Sequence, residues 1–376
     1  MKTRIPSLAT RPLSIGLLAV QLAALPPATG AQYEMATPAA TPAALDTAPP
    51  ITATIALGER VSIDGDGASA GESGVTITSG GTFLVRGDLL GGTLAVDAPG
   101  ADVNLLFDGA TIASDNGPAV HVRAAASATV SLAAGSANAL SDGGDTDADA
   151  ALYSDAPLTI RGLGALAVEG NQNEGIASTS HITIEGGDLR VWASEDGLNA
   201  NEDGVSEITI TGGSLFVTTD TGDAIDSNGI ITITGGTVVA LGALADANGG
   251  LDADGPVTID GGAVIATGAR QPAPDASSAQ PSLFVDFGQD QPAGTLVVIR
   301  DESGKDVLAF APEIPFRHLL VSDPAIAEGV SYTVSIGGAA DGIAPNGIAA
   351  GPITDPGTVV ATVTTDSVED ARSRRR

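Results

Sequence analysis

The chain has 376 residues, and its 46 Asp and Glu against 16 Lys and Arg give a net charge of −30 at pH 7. This charge excludes a protein that binds nucleic acid through its phosphates, because such binding needs clustered positive charge. The lack of cysteine excludes disulfide bridges and thiolate metal sites. The 49 glycines and the many β-branched residues are typical of short strands joined by tight turns.

The N-terminus has the features of a secretory signal. Basic residues precede an apolar run over residues 13–25, and small residues near Ala31 offer a cleavage site. We expect a signal peptide over residues 1–31 and a secreted, periplasmic or cell-surface protein without a transmembrane segment in the mature chain. An uncleaved anchor is the alternative. Residues 32–50 are rich in Ala, Thr and Pro, which predicts an extended linker.

A short phrase recurs along the middle of the chain and predicts a repeat architecture. It joins an apolar anchor to polar neighbours, as in residues 197–201 and 224–228. The anchors follow one another at steps of 24, 22, 27 and 26 residues and are Leu152, Ile176, Leu198, Ile225 and Leu251. A second phrase of the type Ile-Thr-Ile-x-Gly-Gly follows four of them. Such a period indicates stacked units rather than one globular core.

Each unit contains short runs in which apolar and polar residues alternate between glycines, which indicates strands. Three strands and three turns per unit predict an all-β chain that folds as a parallel β-helix over residues 51–268. Antiparallel meanders are the alternative, but the same residue types return at the same phase in every unit. Two inward stacks are expected, namely Ile160, Ile184, Ile210, Ile233 and Ile259, and then Leu166, Leu189, Leu215 and Val238.

The rhythm of the sequence changes after the repeats, which are strongest over residues 142–262. Residues 269–281 predict a loop, and longer alternating runs over residues 282–338 predict a C-terminal β cap. A cap is expected because the open end of a solenoid is an edge that can aggregate. Residues 339–376 are rich in Gly, Ala and Thr and predict a flexible tail. We expect the protein to be a monomer.

Acidic and amide side chains recur at fixed distances from the anchors and predict a row of calcium sites. Equivalent residues of stacked strands lie ~4.8 Å apart, where two carboxylates repel by roughly 3 kcal/mol at an effective dielectric constant near 20. Calcium takes about six to eight oxygen ligands at about 2.3–2.6 Å and would neutralise such a column. The alternative is that Asp and Asn simply favour turns. The candidate ligands are Asp145, Asp147, Asp149, Asp155, Asp196, Asn199, Asn201, Asp203, Asp223, Asp226, Asn228, Asp252 and Asp254.

The repeats resemble a known family. Residues 147–154 read Asp-Ala-Asp-Ala-Ala-Leu-Tyr-Ser, and Gly-Ile-x-Ser and Ile-Thr-Ile-x-Gly-Gly phrases follow. This pattern resembles the bacterial secreted carbohydrate-binding domain-containing proteins, a right-handed parallel β-helix family akin to pectate lyases, over most of residues 60–338. The resemblance implies an exposed surface for an acidic or neutral polysaccharide, with calcium held by the acidic residues of the repeat. Where the family has Asp, this chain has Glu174 and Gly249.

Binding is favoured over catalysis. A pectate-type lyase needs calcium and a Lys or Arg base, but Lys305 lies in the predicted cap. Arg161 and Arg190 are nearer to the acidic residues and could act as bases, but we expect them to be outward, solvated charges. Hydrolases of this fold use paired Asp residues, and their accompanying His and Arg-Lys motifs are missing here. We therefore expect a non-catalytic polysaccharide-binding protein, with a lyase or related pectinolytic enzyme and a structural adhesin as the alternatives. The residues expected to contact the glycan are Trp192, Arg161 and Arg190.

Overall fold

The computed structural model describes residues 50–144 and 146–365, and the secondary-structure elements in this part are all β-strands. The predicted signal peptide, the predicted linker up to residue 49, Asp145 and residues 366–376 lie outside the described residues. Within the described part, no helix is long and apolar enough to cross a bilayer.

The first strands build the N-terminal end of a solenoid. In chain order they are β1 Ile51–Leu57, β2 Ser62–Gly65, β3 Ala68–Gly71, β4 Gly74–Ile77, β5 Gly81–Leu90, β6 Thr93–Asp97, β7 Asp102–Ala113, β8 Val120–Ala124, β9 Ser127–Leu132 and β10 Ala137–Ser141. β2 runs antiparallel to β1, and β3 runs antiparallel to β4. These two hairpins cover strands that would otherwise be open edges.

The repeats follow with three strands per turn. They are β11 Ala150–Ser154, β12 Leu158–Gly162, β13 Ala165–Gly170, β14 Glu174–Ser178, β15 His181–Ile184, β16 Asp188–Ala193, β17 Leu198–Ala200, β18 Glu207–Ile210, β19 Ser214–Thr219, β20 Ile225–Ser227, β21 Ile230–Ile233, β22 Thr237–Leu241, β23 Leu251–Ala253, β24 Val257–Ile259 and β25 Ala263–Gly268. Equivalent strands of successive turns pair in parallel, which confirms the predicted parallel β-helix.

Three parallel stacks of strands form the walls. The first stack consists of β4, β6, β8, β11, β14, β17, β20 and β23. The second consists of β9, β12, β15, β18, β21 and β24, and the third of β10, β13, β16, β19, β22 and β25. The long strands β5 and β7 pair with each other along most of their length. The first half of β7 pairs with β9 of the second stack, and its second half pairs with β10 of the third.

The predicted inward stacks are confirmed. In the second stack, Ile160, Ile184, Ile210, Ile233 and Ile259 are register partners and are fully buried. In the third stack, Leu166, Leu189, Leu215 and Val238 pair in the same way. The apolar anchors line the first stack. These ladders form a continuous core because equivalent side chains of successive turns lie next to one another. Burying each such side chain stabilises the fold by about 1.5–3 kcal/mol.

A second β unit covers the C-terminal end. Its strands are β26 Ser282–Gln291, β27 Val297–Arg300, β28 Asp306–Phe310, β29 Phe316–Ser322, β30 Ser331–Ile336, β31 Ala339–Ala340, β32 Ile353–Asp355 and β33 Thr358–Thr364. β29 pairs antiparallel with both β25 and β26, whereas β27, β28, β30 and β33 form a separate sheet. The cap is therefore longer than predicted: residues 339–365, expected to be part of a flexible tail, carry three of its strands.

The cap also packs against the side of the solenoid, which the sequence analysis did not predict. Phe216, Val239 and Ile265 occupy one register column of the third stack and belong to the same buried cluster as Phe310 and Val334 of the cap. Their position alternates with the inward residues of the same strands, so they point out of the solenoid and into the cap. The outer face of the third stack is thus largely committed to packing at this end.

The side chain of Gln271 closes the open edge of the first stack. Its Oε1 accepts hydrogen bonds from the backbone N–H groups of Gly250 and Leu251 at 2.9 and 3.1 Å, and its Nε2 donates to the carbonyl of Leu251 at 3.3 Å. Gln271 is 4% exposed. The predicted loop over residues 269–281 thus performs part of the capping, because an amide side chain replaces the missing next strand.

Replacing Gln271 by Ala is expected to destabilise the fold by about 1–3 kcal/mol, since two buried N–H groups lose their acceptor. The midpoint of urea unfolding measures this loss. Gln289→Ala, at an exposed position of β26, is the matched control and should leave the midpoint unchanged. Equal midpoints for the two variants would contradict the role of Gln271 as an edge cap.

Candidate metal centre

Three carboxylates meet on the outer face of the first stack. Asp226 in β20 and Asp252 in β23 are direct register partners, and Asp223 lies in the turn before β20. One carboxylate oxygen from each residue lies within 4.8 Å of the other two, and all three residues are half-buried. We refer to Asp223, Asp226 and Asp252 as the carboxylate cluster. The repeat produces it because each turn places an outward residue directly after an apolar anchor.

Burial and mutual repulsion disfavour the charged form of these groups. Burial, followed by the charges of Asp223, Asp252 and Asp254, raises the pKa of Asp226 to about 7. Burial also raises the pKa of Asp223 to about 6, although a hydrogen bond from the N–H of Gly249 and the charge of Arg270 oppose the shift. Without a cation the cluster therefore binds protons near neutral pH.

A neighbouring group continues the ladder by one and two turns and consists of Glu174, Asp196 and Asn199. The Nδ2 of Asn199 donates to Asp196 Oδ2 at 3.2 Å and to Glu174 Oε1 at 3.5 Å. Burial raises the pKa of Asp196 to about 7, and the charges of Asp226 and Asp223 add to the shift. A hydrogen bond from the backbone N–H of Asp223 opposes it. Burial and the charge of Asp149 raise the pKa of Glu174 to about 8.

Two oxygen atoms of the neighbouring group are buried without a partner within the described part of the chain. They are Glu174 Oε2 and Asn199 Oδ1. Glu174 is only 8% exposed, so this oxygen is withheld from bulk water. An unpaired buried acceptor costs about 1–3 kcal/mol. Both atoms thus lack a hydrogen-bond donor or a cation.

The donor set fits calcium. Oxygen atoms that share one calcium ion at about 2.3–2.6 Å can be no more than about 5 Å apart, and the oxygens of the carboxylate cluster meet that limit at 4.8 Å. Every candidate donor is an oxygen, which is the ligand that a hard divalent cation prefers. Asp223, Asp226 and Asp252 would hold one ion, and Glu174, Asp196 and Asn199 offer oxygens to another.

The other predicted ligands divide into separate places. Asn228 donates to Asp203 Oδ1 at 2.9 Å and to the carbonyl of Asn201 at 3.1 Å, so these three residues form a patch of their own. Asp254 influences Asp226 electrostatically from the next turn. Asp149 accepts a hydrogen bond from Asn173 at 3.1 Å and faces Glu174. Asp147 and Asp155 lie near His121, away from the carboxylate cluster.

The residues predicted to contact the glycan are not on the first stack. Arg161 in β12 belongs to the second stack and donates to Ser131 Oγ at 3.3 Å. Trp192 and Arg190 in β16 belong to the third stack. The indole Nε1 of Trp192 donates to Asp220 Oδ1 at 3.2 Å, and the guanidinium of Arg190 lies 4.6 Å from the ring centroid of Phe216. All three thus lie on other stacks than Asp226 and Asp252 of the carboxylate cluster.

The chain departs from the family pattern at Glu174 and Gly249, and only the first of these positions contributes a carboxylate to the site. Glu174 takes the same place in the ladder as Asp196 and Asp223, two residues before an anchor, and joins the site. At Gly249 a Cβ atom would lie 2.5 Å from the carbonyl oxygen of Arg270. No side chain fits there without movement, and Gly249 contributes its N–H to Asp223 instead of a carboxylate. The spacing from the anchors was the signal that could have included Glu174.

The fold and the site define a class, namely parallel β-solenoids that carry a row of carboxylates on one outer face. The chain matches the model of the family described as "Carbohydrate-binding domain-containing protein" over residues 71–286, more than half of its length. It belongs to this family.

A curated protein and a solved structure are similar to parts of this chain. A carbohydrate-binding domain-containing protein of Acetivibrio thermocellus is 30% identical over 145 residues, or 36% of this chain and 51% of that protein. The chain therefore matches only about half the length of this curated relative. The solved structure of the polysaccharide lyase-like protein from C. thermocellum, a gadolinium derivative, is 26% identical with a TM-score of 0.42 and covers 57% of this chain and 94% of that one.

Proposed function

We propose that this protein binds polysaccharide in a calcium-dependent manner and does not cleave it. The observation that carries the proposal is the carboxylate cluster, whose oxygens meet within 4.8 Å on an outer face of the solenoid. Membership of a carbohydrate-binding family supports the polysaccharide as the partner. The protein acts outside the cytoplasm in this proposal, because the N-terminal sequence has the features of a secretory signal.

The chain's own residues have three tasks in this proposal. Asp223, Asp226 and Asp252 hold the cation, while the N–H of Gly249 orients the carboxylate of Asp223. Gln271 fixes the backbone next to Asp252 by binding Leu251. Calcium takes about six to eight oxygen ligands, so the bound ion would leave positions for glycan hydroxyl or carboxylate oxygens. The regular turn spacing offers a linear polymer an equally regular surface.

Retention on insoluble polysaccharide, with and without a chelator, tests the proposal. We expect the full chain to be retained by at least one member of a panel of neutral and acidic polysaccharides in calcium, and to be released by EGTA. Refilling with calcium should restore retention, whereas magnesium should not, because it demands a smaller octahedral site. Retention that is indifferent to EGTA would contradict the role of calcium.

The same mixtures distinguish binding from catalysis. A lyase would release unsaturated sugars that absorb in the ultraviolet, and a hydrolase would release new reducing ends. We expect neither during prolonged incubation with the polysaccharide that retains the protein. Product formation that is lost in Asp226→Asn would instead support the enzymatic alternative, since a carboxyl group whose pKa is raised to about 7, like that of Asp226, can exchange protons near neutral pH.

A further inference from the structure

A small cleft with several polar side chains lies on the first stack, towards its N-terminal end. It has a volume of about 320 Å³. Such a volume is at the small end of the range for ligand pockets. The lining polar side chains are those of Thr93, Asn116, His121, Arg123, Thr146 and Asp147. None of them except Asp147 was a candidate ligand in the sequence, and none belongs to the carboxylate cluster.

The walls of the cleft are held by direct contacts. An isolated β-bridge between Gly117 and Gly143 ties together the two turns that form one side. The hydroxyl of Thr93 donates to the carbonyl of Pro118 at 2.8 Å, and the hydroxyl of Thr146 donates to the carbonyl of Ala148 at 2.8 Å. Both hydroxyl oxygens still have lone pairs to offer. The cleft is therefore built by the fold before any ligand arrives.

The imidazole of His121 and the guanidinium of Arg123 line the cleft, and the ring of Tyr153 packs behind His121. His121 and Tyr153 are register partners, and their rings meet edge to face with centroids 5.5 Å apart. The Nε of Arg123 donates to His121 Nδ1 at 3.4 Å, which leaves the proton of the neutral imidazole on Nε2. That nitrogen faces Asp155 Oδ2 at 3.8 Å. Arg123 itself is exposed and has no carboxylate within 4 Å among the described residues.

The chemistry of the lining suits a sugar. Arg, Asn and Asp side chains present planar sets of donors and acceptors that can bind neighbouring hydroxyl groups, and aromatic rings pack against the apolar face of a pyranose. Asp147 and Asp155 bring two negative charges to the cleft and its border, against the single positive charge of Arg123. A negatively charged sugar would meet net repulsion here.

The cleft and the carboxylate cluster share one continuous face. The outward register column of the first stack runs through His121, Tyr153, Ala177, Asn199, Asp226 and Asp252. Tyr153 and Asp226 are three turns apart, or ~14 Å at the spacing of parallel strands. A linear glycan lying along the stack axis would reach both places.

We infer that this cleft is a subsite for one uncharged sugar unit of the polysaccharide, recognised by Arg123, Asn116 and Asp147 and bordered by His121, against which Tyr153 packs. The inference rests on the proposed function and adds a place and a ligand class to it. Binding at the cleft involves no metal, so a loss of binding there does not require a loss of calcium.

Titration calorimetry of the full chain in calcium tests the inference, with cellohexaose, xylohexaose and mannohexaose as neutral probes and hexagalacturonate as the acidic one. We expect at least one neutral hexamer to bind. Arg123→Gln and Tyr153→Ala should each weaken that binding by about tenfold or more, because the first removes a charged hydrogen-bond donor from the lining and the second removes the ring that packs against His121. Arg317→Gln, which breaks an exposed ion pair with Asp290 on the cap, is the matched control and should bind like the wild type.

Calcium titration of the same variants separates the two hypotheses. Arg123→Gln and Tyr153→Ala should bind calcium as the wild type does, which also shows that they are folded. If insoluble polysaccharides do not retain the wild-type protein, the proposed function and the inference are both overturned. If insoluble polysaccharides do retain the wild-type protein, three results overturn the inference alone. These are normal hexamer binding by Arg123→Gln and Tyr153→Ala, no binding of any neutral hexamer, and binding of hexagalacturonate only.

Discussion

Replacing Asp226 by Asn is expected to weaken calcium binding by at least about tenfold, because calcium affinity depends on the number of charged oxygen ligands. Asp226 is the central member of the carboxylate cluster: it pairs with Asp252 and shares its charge interactions with Asp223 and Asp254. Asn keeps the shape of the side chain and one oxygen, so the fold should be preserved. Calorimetric titration with calcium chloride measures the affinity.

The same substitution should stabilise the protein when calcium is absent. Removing the charge relieves both the burial cost and the repulsion from neighbouring carboxylates, which together raise the pKa of Asp226 to about 7. The variant is therefore expected to unfold at a higher urea concentration than the wild type at pH 8 in EGTA. Asp188→Asn, at an exposed position at the start of β16, is the matched control for both measurements. Wild-type calcium affinity in Asp226→Asn would show that the cluster is not the calcium site.

Without calcium, the protein is expected to lose stability as the pH rises from about 4 to about 8. The pKa values of Asp196, Asp223 and Asp226 are raised from 3.8 to about 7, 6 and 7 in the folded state. Between the ordinary and the raised pKa, the folded state holds protons that the unfolded state has released. The free energy of unfolding therefore falls as the pH rises through this window.

The expected loss is on the order of 3 kcal/mol for the cluster and its neighbours once solvent screening is allowed for, since one pKa unit corresponds to about 1.4 kcal/mol. Saturating calcium should remove most of it, because the ion replaces the protons. Urea unfolding between pH 4 and pH 8, in EGTA and in calcium, measures both effects. An Asp196→Asn, Asp226→Asn double variant should show a shallower pH dependence in EGTA, and an unchanged slope would assign the dependence to other carboxylates.

The repeat units and the register between them could be predicted from the sequence because their pattern is local. Each apolar anchor, such as Leu198 or Ile225, lies at a fixed distance from its Asp and Asn neighbours, and stacking requires equivalent residues to meet. The Ile and Leu ladders follow from the same rule. Glu174 shares the position of Asp196 and Asp223 before the anchor, and only its departure from the Asp of the family pattern kept it out of the predicted ligands.

The cap was harder to predict because its contacts are not periodic. Phe216, Val239 and Ile265 interrupt the polar outer face of the third stack, and only the packed cap explains why they are apolar. Residues 339–365 have a composition common in flexible segments, yet β33 pairs with β30 across a stretch of sequence that contains no repeat. The role of Gln271 likewise depends on where the chain turns after the last rung.

The amino-acid pattern alone therefore determined the solenoid, its core and the existence of an acidic column, because regular spacing along the chain becomes regular spacing in space. Tertiary structure alone decided which carboxylates meet. It gathered Asp223, Asp226 and Asp252, set Asn201 and Asp203 apart, and moved Trp192, Arg161 and Arg190 to other faces. The reason is that distances within one turn depend on how the corners between stacks bend, and loops of different length bend them differently.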